Sequence, residues 1–143
     1  MIAVNINRVI VRASALYDLL VTAPFMTPWS MALVFSGMTA LSDALALDRP
    51  IPALDATQML LANLLGSVVI VWSLWRWRHP SEQAGRYDAL ARGLFALWQI
   101  YAVVQGASML ILGFTGLEVL FSIAQLLPVS GSRSAEHGRA IRG

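Results

Sequence analysis

A chain of 143 residues that is 57% hydrophobic and only 13% charged, against roughly 45–50% and 25% in ordinary soluble domains, excludes water as the expected solvent and points to lipid. The absence of cysteine excludes disulfides, thiolate metal sites, cysteine nucleophiles and sulfur redox relays. All the basic side chains behind the net charge of +2 are Arg; they gather at the ends of apolar segments and form no continuous stripe, which argues for membrane topology and against a nucleic-acid partner.

The chain has the length of one domain, and its apolar stretches are expected to use nearly all of it as helix. The first span is predicted over residues 9–25, closed by Pro24 and Pro28, where a helix breaks or restarts. A segment over 29–47 follows. At about 100° per residue, Ser36, Thr39, Ser42 and Asp43 fall on one side, and Leu33, Val34, Met38, Leu41 and Leu45 on the other. That amphipathic pattern suits a helix lying in the membrane interface. The turn-rich Asp48-Arg49-Pro50-Ile51-Pro52 precedes the strongest span, 57–75, which stops at Arg76-Trp77-Arg78-His79-Pro80. A third span is expected over 88–112, with Gly113 and Gly116 bracketing a turn, and a fourth over 116–128. The segment 130–143, rich in Ser, Gly and Arg, reads as a disordered cytoplasmic tail.

The expected fold class is therefore all-α: a four-transmembrane-helix bundle with an additional amphipathic interfacial helix between spans 1 and 2. With residues 29–47 lying flat, Arg8, Arg12, Arg76, Arg78, Arg86, Arg92, Arg133, Arg139 and Arg142 all become cytoplasmic, and only Arg49 is left outside. Both termini are then cytoplasmic. Ala- and Leu-rich composition with Arg in place of Lys reads as the bias of a GC-rich bacterial genome, so the location expected is the bacterial inner membrane. Asp18 in the middle of the first apolar stretch argues against a cleaved signal peptide. Trp72, Trp75 and Trp77 at one level and Trp29 at the other read as interfacial anchors.

Polar side chains within the spans are the candidate site. Counting about 1.5 Å of rise per residue places Asp18, Asn63, Gln105 and Glu118, one from each span, at a similar level near the outer face. A second tier toward the cytoplasm holds Arg12, Gln99 and Gln125. Ionisable groups in hydrocarbon cost at least ~2.5–3.5 kcal/mol and usually face the bundle interior or a wet cavity. Asp18 and Glu118 thus line a polar pocket or tie helices together through interhelical hydrogen bonds. For Glu118 there is also the macrodipole, which favours an acid in the first turn of a helix. For the amides, cohesion is the preferred role. The pairs Ala62/Gly66, Ala89/Gly93 and Ala102/Gly106 are small-residue packing signals, and Tyr17-Asp18 recurs as Tyr87-Asp88, too short a repeat to indicate duplication.

No catalytic residue, metal site or cofactor is assigned. His79 and His137 are the only histidines, both in segments read as cytoplasmic, so no pair ligates a haem within the membrane. HExxH, a phosphate-cradling Gly loop and a serine elbow are missing. Acid–base chemistry at Asp18 and Glu118 stays open, but two carboxyls in a bundle carry little weight for it.

Arg12 near the start of the first span, the excursion from Pro24 to Pro52, and Glu118 in Gly116-Leu117-Glu118-Val119-Leu120 give a layout that resembles the DoxX-like group of small four-helix bacterial membrane proteins. The likeness is one of architecture over 8–127. The chain departs from the group where a Gly followed by Lys usually closes the first span, reading Thr22-Ala23-Pro24-Phe25 instead. Some relatives are associated with quinone-linked oxidoreductase complexes or envelope redox stress, which the resemblance extends to this chain only as a fold-level analogy.

Two functions fit these features. The slightly preferred one is a non-enzymatic accessory or structural subunit that docks by its helix faces onto other membrane protein subunits. The alternative is a small-molecule binding or transport protein whose polar pocket receives a quinone, lipid headgroup, cation or metabolite. The lipid bilayer is the partner common to both, and a homo-oligomer is compatible with either.

Overall fold

Local chemistry sets most of the helix boundaries. The computed structural model describes residues 2–47, 49 and 51–130, and these form α1 (Val4–Thr22), a 3-10 turn (Ala23–Met26), α2 (Pro28–Ala44), α3 (Ala56–Arg78), α4 (Glu82–Val104) and α5 (Ile111–Leu126). Thr27 caps α2, accepting from the Ser30 N–H at 3.2 Å, with Pro28 in the first turn, where its missing N–H has no partner to lose. Asp55 and Gln58 form a reciprocal capping box at the start of α3, with bonds of 2.8 and 3.0 Å. Ser81 caps α4.

Two helices end in the same way. Ala107 N–H donates to Ala102 C=O and Gly106 N–H to Val103 C=O, a Schellman closure of α4 in which Gly106 takes the left-handed conformation (φ 106°). The same pair of bonds closes α2 around Ala46 (φ 49°), where a side chain tolerates a conformation that glycine adopts more easily. The expected third span to residue 112 is corrected by this: α4 stops at Val104, the turn lies over 105–110, and Gly113 and Gly116 are inside α5. The left-handed Gly106 outweighs the continuing apolar run. Arg49, the one arginine expected on the outer side, donates to Val103 C=O at 2.6 Å and Ala107 C=O at 3.2 Å, satisfying carbonyls at the negative end of α4.

Cross-helix bonds define the packing. Phe25 C=O meets Asn63 and Ser14 meets Arg76, so α1 and its 3-10 extension run antiparallel to α3. Ser14 meets Asp88 and Asp18 meets Arg92, so α1 and α4 are parallel. Arg92 meets Glu118 and Asp88 meets Gln125, so α5 is antiparallel to α4. Close approach is permitted by glycine at two points. A Cβ on Gly66 would lie 2.9 Å from Phe25 Cβ, and one on Gly85 3.1 Å from Val11 Cγ2. Gly93 meets no such neighbour within 4 Å. α3 and α4, joined by only 79–81, pack their backbones elsewhere and meet through side chains, Trp72 and Arg76 reaching Asp88. α2 packs on the 3-10 turn, with Met31 and Ser42 buried and most of its length exposed.

The interior and exterior are inverted relative to a protein in water. The buried apolar residues are few and mostly small, including Ala15, Ala84, Ala89 and Ala96, while Asn7, Ser14, Asp18, Arg76, Asp88, Arg92, Glu118 and Gln125 are all buried. Leu, Val, Ile and Trp cover the outside of every helix, among them Leu20, Val71, Trp98 and Val104. Two helical stretches, Val4–Met26 and Ala56–Arg78, each 23 residues with mean hydropathy 1.5 and 1.6, are long and apolar enough to cross a membrane. Of the expected disordered tail, Ser130 lies within the described structure, its N–H donating to Ile2 C=O at 2.8 Å; residues 131–143 lie outside it.

Candidate functional site

A buried charge network sits where α1, α3, α4 and α5 meet. From α1, Ser14 and Asp18 point inward; from α3, Ser73 and Arg76; from α4, Asp88 and Arg92; from α5, Glu118 and Gln125. Arg92 lies ten residues past the first residue of α4, about 15 Å along its axis. Its guanidinium engages three carboxylates: Nε donates to Asp88 at 2.9 Å, Nη2 to Asp18 at 2.8 Å and Nη1 to Glu118 at 2.6 Å. Arg76 pairs with Asp18 and Asp88 and donates to Ser14 Oγ at 2.9 Å and Ser73 Oγ at 3.1 Å. Gln125 Nε2 reaches Ser14 Oγ at 2.6 Å and Asp88 at 2.8 Å.

Aromatic rings surround the two cations. Arg92 Cζ is 5.1 Å from the Phe121 ring centroid and 5.8 Å from that of Tyr17, and Arg76 Cζ is 5.6 Å from that of Trp72, within the range of cation–π attraction. Trp72 also donates its indole N–H to Asp88 at 3.3 Å. It is therefore part of the network, whereas Trp29, Trp75 and Trp77 are exposed. Each guanidinium in this network has several partners, the condition under which buried cations are tolerated.

Between α3 and α4 a cavity of about 230 Å³ leads to this network. Leu65, Val68 and Val69 of α3 and Phe95 of α4 supply apolar lining; Asp18, Asp88, Arg92 and Glu118 supply the charged end. Leu65, Val68 and Phe95 are also exposed on the bundle surface, so the cleft opens sideways between the two helices. Among the described residues no group of three or more His, Asp or Glu is disposed to hold a metal ion; guanidiniums stand between the acids.

Of the residues expected to share one level, the structure brings Asp18 and Glu118 together around Arg92 and sets the other two apart. Asn63 donates to Phe25 C=O at 2.7 Å, seven residues beyond Asp18 along the α1 line. Gln105 is the exposed C-cap of α4, about 20 Å past Arg92 at 1.5 Å per residue. The early end of α4 lets α5 start at Ile111, which carries Glu118 deeper than a count from a longer third span. Glu118 is likewise the eighth residue of α5 and no first-turn acid, so the macrodipole does not account for it. In the second tier, Gln125 joins the network, Gln99 accepts from Thr115 at 2.8 Å, and Arg12 is exposed.

Arg76, Asp88 and Arg92 were not among the sequence candidates, because two of them read as cytoplasmic loop charges. All three residues are buried, at 0%, 2% and 2% exposure. A signal was present in α4: Gly85, Asp88, Arg92 and Ala96 recur at steps of three and four, one helix face, while Tyr87, Leu90, Leu94, Leu97 and Trp98 occupy the rest of the surface. The Tyr17-Asp18 and Tyr87-Asp88 dipeptides place their two acids in this same network. No family model, no curated protein and no solved structure matches the chain.

Proposed function

We propose that this protein is a small membrane protein, crossing the bilayer four times, that takes up a small amphipathic molecule in the cleft between α3 and α4. The observation that carries this is a side-opening, apolar-lined cleft that ends on charged groups. A pocket of this composition holds an apolar body by its lining and orients a polar head at its end. Because the mouth lies among exposed apolar side chains, entry is from the lipid phase, and the ligand is one that already partitions into the bilayer.

Membrane placement is supported by the inverted interior and by the two long apolar helices. α4 and α5 complete the set in this reading: the buried charges of α4 are paired inside, and the 16 residues of α5 extend about 24 Å. α2 lies in the outer interface, both termini face the cytoplasm, and the compartment is the bacterial inner membrane. The four long helices with an excursion before the second support kinship with the DoxX-like group as part of the same proposal. The accessory-subunit alternative draws on the wide backbone spacing between α3 and α4, along which a partner helix would pack.

Trp72 lines the cleft and serves as the reporter. With Trp29, Trp75, Trp77 and Trp98 replaced by Phe and the protein in nanodiscs, bromohexanol is expected to quench Trp72 saturably. Ala91→Phe, which fills the lining, should abolish saturation. Quenching that rises linearly with bromohexanol and is the same in both variants would show simple partitioning and overturn the binding function.

A further inference from the structure

Three carboxylates, Asp18, Asp88 and Glu118, share two guanidiniums, Arg76 and Arg92, so the fully ionised network carries one negative charge in excess. The hydrogen bonds show where that excess lies. Both oxygens of Asp18 accept from Arg92, and Asp88 accepts on both of its oxygens from Trp72, Arg92 and Gln125. Glu118 accepts a single bond, from Arg92 to Oε2, and Oε1 accepts none among the described residues. Glu118 is also a lining residue of the cleft.

The cations offer nothing comparable. All three nitrogens of the Arg92 guanidinium point at carboxylates. Arg76 is fully buried and outside the cleft lining, so its one unpaired nitrogen, Nε, is sealed away. An anionic head entering the cleft would have to displace a carboxylate from Arg92. A cationic head meets a free carboxylate oxygen and completes the charge balance. Uncompensated charge in a low-dielectric site is strongly disfavoured, so the surplus at Glu118 is neutralised either by a proton or by a cation.

We propose that the ligand is a monovalent organic cation with an apolar tail, and that it exchanges with a proton on Glu118. This rests on the cleft reading above. On loading, the Glu118 carboxyl O–H breaks, the proton leaves to water, and the cation pairs with the carboxylate; one positive charge enters as one leaves. The groups around Glu118 are Tyr17 and Asp18 of α1 and Asp88 and Arg92 of α4, with Arg76 of α3 behind them. None of the other acids presents an unengaged oxygen to the cleft.

Three probes with one tail test this in the Trp72 nanodisc system: bromohexyltrimethylammonium, bromohexanol and bromohexyl sulfate. The ammonium is expected to bind tightest, to release about one proton per molecule bound into weakly buffered medium, and to weaken about tenfold per unit fall in pH on the acid side of the exchange, the slope of one linked proton. Glu118→Gln should lose the proton release and the pH dependence of ammonium binding, and Glu118→Asp should restore both. Equal or tighter binding of the sulfate, or pH-dependent ammonium binding that survives in Glu118→Gln, would overturn the charge assignment. If bromohexanol saturates and the ammonium is no tighter, the charge assignment alone falls; if no probe saturates, the cleft reading falls with it.

Discussion

Replacing Arg92 with Met removes the cation that ties α1, α4 and α5 together, pairing with Asp18, Asp88 and Glu118. Met fills much of the same volume against Tyr17 and Phe121, so the change is chiefly electrostatic. Asp18 and Asp88 keep Arg76 as a partner, whereas Glu118 keeps none, and the network's excess of one negative charge becomes two. Breaking a buried ion pair from one side typically costs about 3–5 kcal/mol, which at about 1.4 kcal/mol per tenfold is two to four orders of magnitude in the folded ratio. Arg86→Met is the control. Arg86 pairs with Glu82 at 2.6 Å, but its side chain is 65% exposed, and such pairs contribute about 0–1 kcal/mol. The assay is the fraction of detergent-solubilised protein that stays helical and monodisperse after heating. Arg92→Met should fail well below the wild type and Arg86→Met close to it. The double variant Arg92→Met/Glu118→Gln, which removes the orphaned carboxylate, should recover part of the loss, since groups in one network couple by about 0.5–3 kcal/mol. An Arg92→Met protein as heat-stable as Arg86→Met would refute the assignment of cohesion to this network.

Gly66→Ala forces a Cβ to within 2.9 Å of Phe25 Cβ and 3.1 Å of its carbonyl; overpacking of this kind costs about 1–3 kcal/mol, so thermal stability should fall, while Gly93→Ala, in open space, should leave it unchanged or raised. Reporter fusions after Leu47 and after Arg86 should fall on opposite sides of the membrane, the first outside and the second in the cytoplasm; the same side for both would overturn the topology proposed here.

Much of the local structure is written in short stretches of chain. Pro24, Pro28 and Thr27 separate α1 from α2, and Asp55 with Gln58 starts α3, because capping and proline effects act over a few neighbouring residues. The same locality explains the error at the end of α4. A hydropathy reading follows the apolar run to residue 112, but the left-handed Gly106 and the two crossed carbonyl bonds end the helix at Val104. The dipeptide Gln105-Gly106 was the available signal, and it was weaker than the run around it.

By itself the sequence indicated the helical class, apolar stretches long enough to cross a membrane and, in that setting, the need of Asp18 and Glu118 for partners, since each follows from composition or from the insertion cost of a single residue. Only the tertiary structure decided who those partners are. Arg76 stands near the end of α3 and Arg92 close to the edge of the apolar run within α4, where solvated charges also stand, and nothing local distinguishes a side chain that turns inward. That depends on the relative register and rotation of α1, α3, α4 and α5, set where Gly85 lies against Val11 and Gly66 against Phe25. A helix rotated by about one residue, or 100°, would turn Asp88 and Arg92 out of the network and onto the apolar exterior of the bundle. Burial in a low-dielectric interior then rewards the one arrangement in which every guanidinium meets its carboxylates, leaving Glu118, a residue of the cleft lining, with a single hydrogen bond.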